Sequence, residues 1–249
     1  MIEVKNISKS FADQQVLKDI SFVFEKGKTN LIIGQSGSGK TVLMKCCIGL
    51  LDVDKGEINF GETCFSCFSE KEKRKIQKEM GVLFQGGALF DSFTVEDNVM
   101  FPLNMFTKMS LEEKRERVNT VLKRVNLLNA NKKFPAEISG GMIKRVAIAR
   151  AISLRPNYLF CDEPNSGLDP KTAELIDELI SDLTEEFQMT TVINTHDMNS
   201  VIQIGQKIAF LHKGELWWEG DKNVILKTDN EELNEFVFST ELTRRINRN

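Results

Sequence analysis

Hydrophobic residues alternate with polar ones near the start of the chain and then change rhythm. Ile2 and Val4, and more clearly Ile20, Phe22 and Phe24, recur with period two, which predicts antiparallel strands with one buried face over residues 1–25. Residues 31–33, 81–84 and 158–161 are continuous apolar runs and read as buried strands, with a further strand at 190–194. Residues 57–60 form a short strand between the turn Asp54-Lys55-Gly56 and Gly61, and residues 208–211 and 215–218 flank a Lys213-Gly214 hairpin turn. Between 86 and 157 the rhythm becomes helical. Ser110 and Glu113 make a capping box, and Val118, Val121, Leu122 and Val125 then line one buried face. A later helix ends near Leu154 before Arg155-Pro156, and residues 171–186 form another amphipathic helix. Residues 69–79, dense in Lys and Glu, read as a solvated helix. Phe90, Phe93 and Phe101 fit either a core or a docking surface.

The strand at 31–33 leads into Gly34-Gln35-Ser36-Gly37-Ser38-Gly39-Lys40-Thr41, and residues 42–48 lead out as a helix. Strand, glycine-rich loop, Lys-Thr and helix is the context in which backbone N–H groups and a helix N-terminus cradle a phosphate. Lys40 would reach the outer phosphates, and Thr41 would offer a hydroxyl to Mg²⁺. The strand at 158–161 ends in Asp162-Glu163, the paired carboxylates such a loop needs: one for the Mg²⁺ shell, one to take a proton from water. Ser139-Gly140-Gly141 ahead of a helix is a second, weaker phosphate signal. His196 stands at a strand end, whereas His212 is expected on the surface.

Composition removes several classes. The 249 residues suit one large domain or a domain with a subdomain. A net charge of −3 leaves no footprint for nucleic acid. No apolar run approaches the ~18 residues that cross a bilayer, so action at a membrane is expected through a partner. Glu3 and the lack of a long apolar start argue against a secretory signal. Five cysteines, an odd number, predict reduced thiols in the cytosol; Cys64 and Cys67 form a CxxC that would suit half a zinc site or a redox pair, but no second CxxC and no histidine nearby in sequence supports that reading.

The order phosphate loop, Gln85, Ser-Gly-Gly, Asp-Glu, Ser166-Gly167-Leu168-Asp169 and His196 resembles that of an ATP-binding cassette (ABC) ATPase over nearly the whole chain. The resemblance implies an α/β P-loop NTPase fold. Its core would comprise 1–85 and 158–220 with an antiparallel β subdomain, its helical insert 86–157, and its tail 221–249. It also implies roles. Phe11 would stack on adenine, and Gly34 through Thr41 would form the Walker A. Gln85 would touch Mg²⁺ or its water, and Ser139, Gly140 and Gly141 would serve the ATP of a second copy. Asp162 would support the metal, Glu163 would be the general base, Asp169 would close the D-loop, and His196 would hold the γ-phosphate. The implied assembly is a head-to-tail homodimer around two ATP molecules, peripheral on the inner face of the membrane and docked on a separate permease. Met142 in place of the usual Gln, and the stretch from Phe84 to Val99, are similar to ATPases of Mla-type lipid-asymmetry transporters, whose tails help the dimer. A lone cassette coupled to a membrane protein for work such as cell division remains the alternative. A guanine-specific GTPase is excluded, because Asn194-Thr195-His196-Asp197 lacks the required lysine.

Overall fold

The computed structural model describes residues 1–238. Arg244, Arg245 and Arg248 of the expected tail lie outside the described residues. Strands β1 (Ile2–Phe11), β2 (Gln14–Phe24), β4 (Lys55–Phe60) and β5 (Thr63–Cys64) form one antiparallel sheet in the order β2-β1-β4-β5. A six-stranded sheet holds β3 (Thr29–Ile33), β6 (Met80–Leu83), β7 (Tyr158–Asp162), β8 (Thr190–Thr195), β9 (Lys207–His212) and β10 (Glu215–Gly220). Its order is β10-β9-β3-β8-β7-β6, parallel except for the β9–β10 hairpin.

Period two decides which core each strand residue joins. Ile32, Phe160, Val192, Ala209 and Leu211 face the antiparallel sheet and α1 (Lys40–Cys47). Their neighbours Leu31, Ile33, Leu159, Cys161, Ile193, Ile208 and Phe210 face the opposite way, into a second core. Both faces of the sheet are therefore covered, which is why these strands show apolar runs instead of alternation.

The second core is closed by α3 (Val95–Phe106), α4 (Leu111–Arg124), α5 (Gly140–Ile152), α6 (Pro170–Phe187) and α7 (Met198–Ile204). The predicted stripe Val118, Val121, Leu122 and Val125 is buried there, and Ser110 caps α4 with Glu113 as its partner. The solvated helix expected near 69–79 is α2 (Glu70–Gln77). Within the expected tail, α8 (Glu231–Val237) packs Leu233, Phe236 and Val237 into the same core, with the Phe236 and Phe210 rings 5.6 Å apart. Among the described residues no helix is long and apolar enough to cross a membrane.

Two expectations need correction. Cys64 and Cys67 are joined by a disulfide and are not free thiols. Phe65 is buried against Phe60, and the Phe65 N–H donates to the carbonyl of Ile58, so the turn brings the flanking cysteines together. Cys46, Cys47 and Cys161 are free and buried, and burial pushes their thiols up, that of Cys46 to about 11. His212 is half-buried, its ring 4.5 Å from that of Trp217.

Candidate nucleotide site

The parallel strands β3, β7 and β8 end side by side, so the loops that follow them converge. After β3 the chain turns through the glycine-rich loop into α1. A Cβ on Gly34 would collide with the carbonyl oxygen of Leu211, and one on Gly39, at φ 106°, would lie 2.8 Å from Leu17 Cδ2. Only glycine admits that path. Lys40 Nζ donates to the carbonyls of Gly34 at 2.8 Å and Gln35 at 3.0 Å, which folds the side chain back along the loop. Burial lowers its pKa, and Glu163 and Asp162 oppose that shift.

Across from the loop, Asp162 and Glu163 leave β7. Asn194 Nδ2 on β8 donates to Asp162 Oδ1 at 3.0 Å, and Thr41 Oγ1 lies 3.4 Å from the same oxygen. Glu163 takes the left-handed region, φ 51°, an uncommon conformation for a residue with a Cβ. Its N–H donates to the carbonyl of Asn194, and its carboxylate pairs with His196 Nδ1 at 2.8 Å. The pair holds the Glu163 carboxylate at the cavity that the loop also lines.

One cavity of 840 Å³ gathers Gln35, Ser36, Gly37, Gly39, Lys40, Thr41, Gln85, Asp162, Glu163 and His196. Gly34 and Ser38 shape the loop beneath, with Ser38 Oγ buried and without a hydrogen-bond partner. The remaining expected residues lie elsewhere. Ser139 caps α5 by accepting from the Met142 N–H at 3.3 Å, and Ser139 and Gly140 are exposed. Gly141 lies against Thr172. Asp169 caps α6 by accepting from the Thr172 N–H at 3.1 Å, and those contacts lower its pKa. Phe11 stands near the β1–β2 turn, 43 % exposed, with Lys9 Nζ 5.7 Å from its ring centre, and does not line the cavity.

Val16, Glu235 and Phe236 line the cavity without having been expected there. Lys144 was also missed. It is buried, donates to the carbonyl of Gln85, and reaches Ser166 Oγ at 3.4 Å, tying α5 to two loops of the site.

The family model described as ABC transporter matches residues 17–166, which include the loop, Gln85, Ser139 to Gly141, and Asp162-Glu163. The chain belongs to the ABC transporter family. This cassette is 39 % identical over 236 residues to the probable ribonucleotide transport ATP-binding protein Mkl of Mycobacterium leprae, spanning 95 % of this chain and 68 % of that one. It is 38 % identical to the methionine import ATP-binding protein MetN of Clostridium tetani, over 93 % of this chain and 73 % of the relative. Among solved structures, the dimeric bacterial ABC transporter cassette MJ0796 superposes with a TM-score of 0.82 at 33 % identity, covering 89 % of this chain and 99 % of that one. The same cassette is known in a post-hydrolysis state bound to ADP and Pi, with a TM-score of 0.81 at 32 % identity, covering 89 % and 99 %. The cassette is an ATPase of the ABC class and the ATP-binding subunit of an ABC transporter.

Proposed function

We propose that the cassette works as a head-to-tail homodimer on the cytoplasmic face of a membrane, powering a separate permease that moves phospholipid. The hydrolytic part rests on one observation above all: Glu163, oriented by His196, shares a cavity with Lys40 and Thr41. In this reading Lys40 and the N–H groups of the glycine loop hold the phosphates, and Glu163 accepts a proton from water. His196 keeps the carboxylate aimed and adds a donor near the transferred group.

Thr41 Oγ1, the Asp162 carboxylate and the Gln85 amide are hard oxygen donors that line the same cavity, suited to Mg²⁺. When bound, the ion would neutralise phosphate charge. Glu163→Gln keeps shape and hydrogen bonding and removes the base. Turnover is expected to fall ~10²–10⁴-fold with ATP binding retained. Near-normal turnover in that variant would remove Glu163 from the role.

Ser139 and Gly140 face outward, which suits a signature offered to a second copy. The dimeric form of MJ0796 supports that arrangement. The lipid reading is supported by Met142 and the stretch from Phe84 to Val99, while relatives carry names for ribonucleotide and methionine transport. Co-purification of the permease followed by vesicle assays separates them. ATP-driven phospholipid transfer supports the lipid reading, and uptake of methionine or ribonucleotide replaces it.

A further inference from the structure

Glu163 and His196 stand on loops that leave neighbouring strands, and a buried carboxyl group behind them belongs to neither loop. Asp177 lies in α6 and is 2 % exposed. Facing it are Asn165 from the turn after Glu163, Ser200 and Asp197 from the start of α7, and the buried thiol of Cys161 on β7. Asn165 Nδ2 donates to Ser200 Oγ at 3.0 Å, so the loop and the helix already meet at this point. Asp177 Oδ1 and Asn165 Oδ1 are both buried without a hydrogen-bond partner. Burial raises the Asp177 carboxyl to about 6, against the opposing pull of Ser200 and Asn165. A core selected for stability alone would hold an apolar side chain here, because each unpaired buried acceptor is costly.

We propose that Asp177 is a positioning residue which, through Asn165 and Ser200, fixes the spacing between the loop carrying Glu163 and the helix that starts behind His196. Asn165 is two residues from Glu163, and α7 begins two residues after His196. A shift of either element therefore changes the Glu163–His196 pair directly. Misplacement by about 1 Å is enough to cost a reaction up to ~10²-fold. The inference rests on the hydrolytic roles proposed for Glu163 and His196.

Steady-state ATPase kinetics of the full chain with Mg-ATP test it, with Asp177→Leu and Asp177→Asn beside the wild type. The Leu variant fills the space without polar contacts; its kcat is expected to fall at least about tenfold with KM within about threefold. The Asn variant supplies an N–H donor for Asn165 Oδ1 and an oxygen for Ser200, and is expected to recover kcat to within about threefold of wild type. A Leu variant with wild-type kcat overturns the inference. So does an Asn variant as slow as the Leu variant, or a loss of kcat that merely tracks a loss of folded protein by near-ultraviolet circular dichroism. If Asp177→Leu does not fold, Asn165→Ala, Ser200→Ala and their double variant replace it. A double variant no slower than the slower single one is expected, and strictly multiplicative losses overturn the coupling. A wild-type chain that hydrolyses no ATP overturns the hydrolytic reading itself, and the inference with it.

Discussion

Two helices in this cassette begin at glycines, and their surroundings are opposite. At the head of α1, Gly39 is hemmed in by Leu17, Lys40 is buried, and two carboxylates stand across a shared cavity. At the head of α5, Ser139 and Gly140 are exposed, and the nearest atom to a Cβ on Gly140 is Leu168 Cδ2 at 3.6 Å. The first end faces carboxylates of its own chain across the cavity. The second is capped by its own serine and is exposed, with no acidic group of the cavity across from it among the described residues. The contrast teaches that the glycine signal alone does not locate a site; the groups across from it do.

The two helix ends can be damaged separately, one in each chain. Lys40→Ala is expected to lower turnover ~10²–10³-fold, the scale of losing one preorganised donor. Ser139→Arg should lower it comparably while leaving nucleotide affinity of the single chain nearly unchanged. Mixed together, the two variants are expected to regain activity above the sum of the parts, because a head-to-tail pair then contains one intact site. ATPase assays of the mixture check this, and absence of rescue would break the outward-facing reading of α5.

A smaller effect concerns the buried acid behind the site. The Asp177 carboxyl is raised from 3.8 to about 6 in the folded chain, so its contribution favours folding at low pH and is lost as pH rises from about 4 through about 6. Across that window, wild type should lose on the order of 2–3 kcal/mol relative to Asp177→Asn. Urea midpoints of the pair at several pH values measure it, and parallel curves would contradict it.

The smallest effect returns to the glycines. Gly39→Ala forces a Cβ onto Leu17 at φ 106° and should cost about 1–3 kcal/mol. Gly140→Ala has room within a helix and should be neutral or stabilising by up to ~1 kcal/mol. Thermal denaturation compares the two, and equal shifts would erase the distinction.

The fold class was legible because apolar runs, alternation and capping residues are local signals. The loop at 34–41, Asp162 and Glu163 were found for the same reason: each is a short string next to a recognisable strand. Val16, Lys144 and Asp177 were missed because their significance arises from contacts across the fold. Lys144 is one basic residue in a helix until the chain closes and brings the Gln85 carbonyl to it. The Cys64–Cys67 pairing was missed through an assumption about compartment, since spacing alone allows both oxidation states. The role of Phe11 comes from resemblance alone, whereas Val16 carries no motif and lines the cavity through its place on β2.

The backbone of Glu163 carries a further consequence. A left-handed conformation at a residue with a side chain stores roughly 1–2 kcal/mol of unfavourable energy. Glycine at this position would relieve that torsional cost but would also lose the carboxylate that pairs with His196. The strained torsion and the His196 contact thus act on the same residue in opposite senses, one costing the fold and the other holding the loop.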